Sequence, residues 1–169
     1  ANAADDVIYT WAGPEIAVAT TKGYSTQLSV LYLFAVWAAR LLKTADNARL
    51  DKIFDDILML PELTERVILA EPQIKEMAKH CGDPKSLFFI GRNIDYAVSL
   101  EASLKLKEIS YIHSEAYAAG ELKHGTISLI EEGRTVIALA AYEELFDKLL
   151  SNIKEVKARG ARVLACATV

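Results

Sequence analysis

Three charged residues, Glu101, Lys105 and Glu108, recur at helical spacing in one stretch of the chain. At 100° per residue, their side chains fall within about 60° of one another on a helix. An isolated buried charge costs several kcal/mol, so these groups must pair with each other or take part in chemistry. A carboxylate beside an ammonium group could act as a base. A plain ion pair between residues four apart is the other interpretation, and helix geometry alone leaves both open.

The surroundings of this charged row are apolar in the sequence. The flanking positions are Ala97, Leu104 and Tyr111 on one side and Val98, Ala102 and Ile109 on the other. The opposite arc carries Ser99, Ser103, Lys107 and Ser110. The pattern therefore predicts that the serine arc faces water and that the charged row lies in the buried arc.

A second candidate is the segment Gly120-Glu121-Leu122-Lys123-His124-Gly125. Its two glycines permit sharp turns and close approach of the backbone to a ligand, as a site loop requires. Histidine is the side chain whose ordinary pKa lies near neutral pH, so His124 could move a proton to or from a sugar oxygen. A lone histidine in a loop more often has a structural role. His80 and His113 are interpreted as caps or surface residues.

Two further segments carry weaker signals. Gly91-Arg92-Asn93 ends a predicted parallel strand, where ligands of α/β sheets collect, but it lacks the full dinucleotide fingerprint. The segment from Ala12 to Lys22 leads into a helix N-terminus, which favours an anionic group such as a phosphate. The sequence contains no metal-ligand spacing, serine-hydrolase elbow or phosphate-loop motif.

The elements that position these residues differ between the two halves of the chain. Up to residue 80 the pattern is mostly helical, with a short β-rich run before the first helix. The predicted elements are a run at Val7–Thr10, helices over 22–43 and 49–69 with a kink or restart at Pro61, and a helix over 71–80. The uncharged stretch 23–39 is short, polar at its start and closed by Lys22 and Arg40, so it predicts a core helix and no membrane span.

Beyond the breaker at residues 81–84, apolar runs alternate with amphipathic helices, which is typical of a parallel sheet covered on both faces. The predicted strands are 86–90, 135–140 and 162–167, and the predicted helices are 95–113 and 142–159. Three strands are few for such a sheet. We therefore expect an α/β fold that is incomplete at both ends, with other strands supplied elsewhere.

Composition narrows the classes of function. The chain has 169 residues and a net charge of -4, without a basic stripe, so a general nucleic-acid binder is not expected. Two cysteines are too few for a disulfide scaffold and fit a reducing, cytoplasmic compartment. No signal peptide is visible, and the absence of an initiator Met suggests a cut chain.

Two segments resemble one family. AGPEIAVATTKGYSTQL and LEASLKLKEISYIHSEAYAAGELKHG are similar to segments in the isomerase part of the glutamine:fructose-6-phosphate amidotransferases, the glucosamine-6-phosphate synthases. The similarity extends over essentially the whole chain. It implies sugar-isomerase (SIS) domains: the end of a first SIS domain at residues 1–45, a helical connection at 46–78 and an incomplete second SIS domain at 79–169.

The resemblance also implies roles for particular residues. Glu108 would move a proton between C1 and C2 of the sugar, with Lys105 beside it. His124 would help to open the sugar ring, in the site of the partner subunit of a homodimer. Val18 would approach the substrate through its backbone, with Glu15 nearby. The implied substrate is a phosphosugar, and no metal or organic cofactor is required.

Other parts of the family's machinery have no counterpart in these residues. The family's phosphate loop would precede Ala1, its Schiff-base lysine would follow Val169, and its glutamine-hydrolysing cysteine belongs to another domain. Two alternatives stay open. One is a non-catalytic SIS module that binds phosphosugars, and the other is a related SIS deglycase.

Overall fold

The computed structural model describes residues 3–81 and 85–168, which fall into two compact units, Ala1–Pro72 and Gln73–Val169. Each unit is described by itself. The domain limits expected at residues 45 and 78 stay predictions. Of the predicted breaker at 81–84, residues 82–84 lie outside the described part of the chain.

The first unit is helical, as the sequence predicts. Helices α1, α2 and α3 span Thr21–Leu42, Asn47–Leu58 and Leu60–Leu69, and α4, Glu71–Lys79, begins at the unit boundary. Thr20 caps α1 because its hydroxyl accepts a hydrogen bond from the Gly23 amide at 3.2 Å. Pro61 lies in the first turn of α3, so it restarts the helix after Met59, as expected.

The predicted strand at Val7–Thr10 is wrong. Residues 7–10 have no regular secondary structure, and residues 3–72 contain no strand with which they could pair. β-branched and aromatic side chains alone cannot hold a strand, because its backbone groups need a neighbour.

Helix α1 has the predicted length but is not the core helix that we expected. Val36 is its one residue classed as buried, whereas Trp37, Leu41 and Leu42 are mostly exposed. By length and hydropathy alone α1 could cross a membrane, a test that core helices of soluble proteins also pass. Its apolar face is therefore uncovered in the part of the chain that the structure describes.

The second unit is a parallel four-stranded sheet with helices on its faces. Strands β1 to β4 span Ser86–Gly91, His113–Ala118, Thr135–Ala140 and Arg162–Ala167, in the order β2-β1-β3-β4. Helix α5, Ile94–Ser110, joins β1 to β2, and α6, Phe146–Ala158, joins β3 to β4. Short 3-10 turns cover Ala119–His124, Thr126–Leu129 and Glu143–Leu145. The predicted α/β class is confirmed.

Strand β2 was missed by the sequence reasoning. The predicted helix 95–113 ends at Ser110, because Tyr111 has a left-handed conformation with φ 59°. The β2 sequence, HSEAYA, lacks an apolar run because β2 lies at the edge of the sheet and several of its side chains are partly exposed. The sheet therefore has four strands and not the three predicted.

The main core lies between one face of the sheet and α6. Phe88 and Ile90 of β1 pack there with Val136 of β3 and with Leu149 and Val156 of α6. Alternate side chains of β1, such as Leu87 and Phe89, point to the other face, which α5 covers. Helix α5 therefore begins at the carboxyl ends of the strands and ends at their amino ends.

Helix α5 turns its serines towards the sheet, which reverses our expectation. Ser99 and Ser103 are buried, whereas Val98, Leu104 and Ile109 are exposed. Small side chains let the helix approach closely, since the Ser103 and Ser114 hydroxyls lie 3.0 Å apart. Their polar groups stay satisfied, because Ser114 also donates to the Ser103 carbonyl at 2.8 Å and Ser99 donates to the Asp95 carbonyl at 2.7 Å.

The same close approach explains Gly91, at the end of β1. A Cβ on Gly91 would lie 2.5 Å from the carbonyl carbon of Asp95, in the first turn of α5. We expect Gly91→Ala to lower the free energy of unfolding by about 3 kcal/mol, because the helix must move away. Urea unfolding measures this loss. Ala97→Ser, on the exposed side of α5, should change stability by less than about 0.5 kcal/mol, and equal effects of the two variants would contradict the account.

Candidate functional site

The charged row on α5 forms one connected ion-pair group. Lys105 Nζ lies 2.6 Å from Glu108 Oε2 and 3.6 Å from Glu101 Oε1. The three side chains are partly buried, with exposed fractions of 16% for Lys105, 22% for Glu101 and 26% for Glu108. The row is therefore paired, as one of the two sequence interpretations required. Glu108 keeps a partly exposed carboxylate directly beside an ammonium group.

The ammonium of this row is held in its charged form. The hydrogen bond to Glu108 raises the pKa of Lys105 above its ordinary value; burial acts against this shift, and the charges of Glu108 and Glu101 add to it. Lys105 is thus a cation throughout the physiological pH range. A fixed cation at this position can stabilise an anion that forms beside Glu108.

Apolar side chains surround the row on the outer side of α5. Val98, Leu104 and Ile109 are exposed there, and Tyr111 follows the helix with 91% of its surface exposed. The charges thus lie within an apolar surface that the described residues leave uncovered. Covering that surface would exclude water and strengthen every electrostatic interaction of the row.

The structure does not bring His124 to Glu108. Glu108 lies in the last turn of α5, just before the amino end of β2, whereas His124 lies beyond the carboxyl end of β2. The six residues of β2 span about 20 Å at 3.3 Å per residue. His124 is exposed, at the end of the 3-10 turn Ala119–His124. Glu108 and His124 therefore lie beyond opposite ends of β2.

Glu15 and Val18 belong to the first unit, just before α1. The Thr20 hydroxyl donates to Glu15 Oε2 at 2.6 Å, and this hydrogen bond lowers the pKa of Glu15. The side chain of Val18 is almost fully exposed. Helix α1 begins at Thr21, so the backbone at Val18 lies near a helix N-terminus, which favours anionic groups.

The sequence suggested a ligand site at the carboxyl end of β1, but the structure places a carboxylate there, which disfavours an anionic ligand. The buried carboxylate of Asp95 lies in the first turn of α5, where its Oδ2 accepts a hydrogen bond from the Tyr142 amide at 3.0 Å. A carboxylate of the protein thus already provides negative charge at this helix N-terminus.

Sequence reasoning missed a row of titratable groups along β2. His113 Nε2 lies 3.4 Å from Glu115 Oε1, and the Tyr117 hydroxyl donates to Glu115 Oε2. Burial, followed by the hydrogen bond and the charge of Glu115, raises the pKa of Tyr117 to about 12. The alternation His-x-Glu-x-Tyr was the available signal, because alternate residues of a strand share a face.

Tyr117 should ionise at a higher pH than an ordinary tyrosine. Its pKa in the folded state lies above the ordinary value of about 10, so its contribution to stability is complete below pH 10 and is lost as the pH rises towards 12. Absorbance at 295 nm measures tyrosinate. We expect a late step near pH 12 that Tyr117→Phe removes. Tyr9→Phe, at an exposed tyrosine, should leave that step in place, and its loss there would contradict the assignment.

No cluster of three or more His, Cys, Asp or Glu side chains that could hold a metal occurs among residues 3–81 and 85–168. The candidate residues Glu108, Lys105 and His124 offer a carboxylate, an ammonium group and an imidazole.

Comparison with known proteins identifies the family to which the chain belongs. Residues 82–168 match the model of the SIS domain, and the chain belongs to that family. SIS proteins are the class that the parallel sheet, with its helices on both faces, defines here.

Nearly the whole chain is also similar to one enzyme of that class. It is 54% identical over 167 residues to the glutamine–fructose-6-phosphate aminotransferase (isomerizing) of Clostridium acetobutylicum, and 47% identical over 162 residues to that of Thermococcus kodakarensis. These matches cover 99% and 96% of the chain but 28% and 27% of those enzymes. The chain thus spans about a quarter of the length of these curated relatives.

A solved structure agrees with these relatives. The C-terminal domain of glucosamine-fructose-6-phosphate aminotransferase from Francisella tularensis matches with a TM-score of 0.89 and 36% identity, over 93% of this chain and 44% of that one. The family resemblance seen in the two sequence segments is confirmed. The chain corresponds to part of the C-terminal, isomerase region of those enzymes.

Proposed function

We propose that this chain is part of the isomerase region of an enzyme that makes glucosamine 6-phosphate from fructose 6-phosphate and glutamine. The observation that carries the proposal is the Glu101–Lys105–Glu108 row. It joins a partly buried carboxylate to a fixed cation in a chain similar to these aminotransferases over nearly its whole length. The substrate is a phosphosugar, and the amino group comes from glutamine through a separate domain.

Glu108 is the base in this proposal. Ammonia condenses with the C2 ketone of the open sugar, and water leaves. The Glu108 carboxylate then takes a proton from C1 and returns it at C2, while the hydroxyl on C1 gives its proton to the nitrogen on C2 and becomes the aldehyde oxygen. Lys105, whose pKa is raised by its hydrogen bond to Glu108, stays cationic and stabilises the anionic charge that develops during the transfer. No metal or organic cofactor is needed for this proton transfer.

His124 opens the sugar ring before that step. It takes the proton of the hydroxyl on C2, the C2–O5 bond breaks, and O5 receives a proton. The separation of about 20 Å along β2 supports a role for His124 in the site of a second subunit. The proposed enzyme is therefore a homodimer in which each site uses Glu108 of one subunit and His124 of the other.

The first unit contributes to substrate binding. Val18 approaches the sugar phosphate through its backbone, next to the N-terminus of α1, and Glu15 lies nearby with its carboxylate held by Thr20. The exposed apolar face of α1 packs against the rest of the enzyme and its dimer partner, so the protein is cytoplasmic and spans no membrane.

Product formation tests the proposal. The full-length protein that contains this chain should convert fructose 6-phosphate and glutamine to glucosamine 6-phosphate, measured by chromatography of the sugar phosphates. The purified 169-residue chain should form none, because the family's phosphate loop, Schiff-base lysine and glutaminase cysteine are not among its residues. Turnover by the 169-residue chain, or none by the full-length protein, would contradict the proposal.

A further inference from the structure

Four of the six residues in the short segment Ala119–His124 are buried or make side-chain contacts. Ala119 and Leu122 are fully buried. Gly120 packs against the guanidinium group of Arg92, which a Cβ at that position would approach to 3.1 Å. Lys123 Nζ lies 2.9 Å from Glu155 Oε1 of α6. His124, the next residue, is exposed, so the contacts of its neighbours decide where its imidazole lies.

The Lys123–Glu155 ion pair is part of a connected network. Arg92 Nε donates to Asn152 Oδ1 at 3.0 Å, and Asn152 Nδ2 donates to Glu155 Oε2 at 3.3 Å. Asn152 is only 4% exposed, and 23% of the Glu155 side chain is exposed. The hydrogen bond from Lys123, followed by that from Asn152, lowers the pKa of Glu155 against the effect of burial. Glu155 is therefore a carboxylate whose two oxygens have different partners.

This geometry orients Glu155 before Lys123 binds it. Asn152 lies one turn before Glu155 on α6 and is itself fixed by Arg92, at the carboxyl end of β1. The Lys123 side chain is 63% exposed, but because the Glu155 carboxylate is already oriented, the ion pair immobilises one mobile side chain and not two. The pair can therefore hold the backbone at Lys123, and Gly125, with φ 137°, turns the chain directly after His124.

We propose that Glu155 is a positioning residue for His124: it fixes the backbone through Lys123, and Arg92 and Asn152 orient its carboxylate. The role deepens the proposed function, on which it rests, because His124 must project from one subunit to a sugar in the other. Glu155 touches no reacting atom. Its loss should therefore slow only the step that needs His124, which is ring opening.

Hydrogen exchange in the 169-residue chain tests the structural half of this proposal. With Glu155→Gln, the amides of residues 119–125 should exchange about two- to fivefold faster, because the segment can then open locally without breaking the ion pair. The control is Glu143→Gln, which neutralises an exposed carboxylate before α6 and should leave these amides unchanged. Unchanged exchange with Glu155→Gln, or equal acceleration by both variants, would overturn the proposal.

Two substrates test the functional half in the full-length protein. Fructose 6-phosphate closes to a furanose ring through O5, whereas 5-deoxyfructose 6-phosphate lacks that hydroxyl and stays open. Exchange of the C1 hydrogen with solvent is measured for each by NMR. We expect Glu155→Gln to slow exchange of fructose 6-phosphate about 10- to 100-fold, because a displaced His124 opens the ring poorly. The open substrate should exchange at the rate of the unmutated protein.

The outcomes separate this role from general damage and from failure of the proposed function. Equal losses with both substrates would mean a structural effect and would overturn the positioning role, as would no loss with either. If the unmutated protein exchanges neither substrate, the proposed function and this role both fall. The amide exchange of residues 119–125 then still reports whether Glu155 holds the segment.

Discussion

Replacing Glu108 by Gln in the full-length protein should lower formation of glucosamine 6-phosphate by about 10³-fold. The amide keeps the size of the side chain and can still accept a hydrogen bond from Lys105, but it cannot take a proton from C1. Hydrolysis of glutamine should continue, because it belongs to another domain of the proposed enzyme. Sugar phosphates and glutamate, measured in the same reaction, give both rates.

The control for this variant is Glu132→Gln, which removes an exposed carboxylate of the same unit and should change neither rate. If Glu108→Gln isomerised the sugar at nearly the unmutated rate, the row on α5 would be an ion pair with a structural role only. If it lost glutamine hydrolysis to the same extent, the variant would have damaged the fold.

Mixing two inactive variants should restore activity. Glu108→Gln and His124→Asn each abolish both sites of a symmetric dimer, because every site needs one residue from each subunit. In a mixed dimer, one site carries both substitutions and the other carries neither. Random mixing makes half of the dimers mixed, so about a quarter of all sites are intact and about a quarter of the activity should return.

This experiment needs exchange of subunits, so the two variants are co-expressed with different affinity tags, and the doubly tagged dimers are purified. The purified mixed dimers should reach about half of the unmutated rate. A double variant, Glu108→Gln with His124→Asn on one chain, is co-expressed with the unmutated chain as a second arrangement, and its mixed dimer should be inactive. Activity in that arrangement and none in the first would show that both residues serve a site within one subunit.

The helices and three of the four strands could be predicted from the sequence because their signals are local. Thr20 and Pro61 act on the adjoining turn, and the apolar runs at 86–90 and 135–140 are buried on both faces of the sheet. Such signals do not depend on distant contacts. The strand expected at Val7–Thr10 was predicted from local signals alone, and it does not form because a strand also needs a partner, which local sequence cannot show.

The orientation of α5 could not be predicted from hydrophobic periodicity. Periodicity assumes that large apolar side chains point inward, but β1 and β2 leave room only for the small arc of Ser99 and Ser103. The size of side chain that fits between α5 and the sheet depends on how closely the two approach, and this distance is a tertiary property. The hydroxyls fit there because Ser99 donates to the Asp95 carbonyl of α5 and Ser103 forms a hydrogen bond with the Ser114 hydroxyl of β2.

The candidate site was predictable in part. The spacing of Glu101, Lys105 and Glu108 predicts a paired row, and the structure confirms the pairing. The distance from Glu108 to His124 required the topology, because the missed strand β2 separates them. The contacts that hold Lys123 also lay beyond sequence reasoning, since Glu155 belongs to a helix packed against the other face of the sheet.

Proton transfer between C1 and C2 of the sugar by Glu108 is the central claim, and hydrogen exchange at C1 tests it most directly. The full-length protein is incubated in D₂O with fructose 6-phosphate and without glutamine, and deuterium at C1 is followed by NMR. The unmutated protein should incorporate deuterium, and Glu108→Gln should incorporate it at least about 10³-fold more slowly. Incorporation by Glu108→Gln at the unmutated rate would contradict the account, because another group would then be the base.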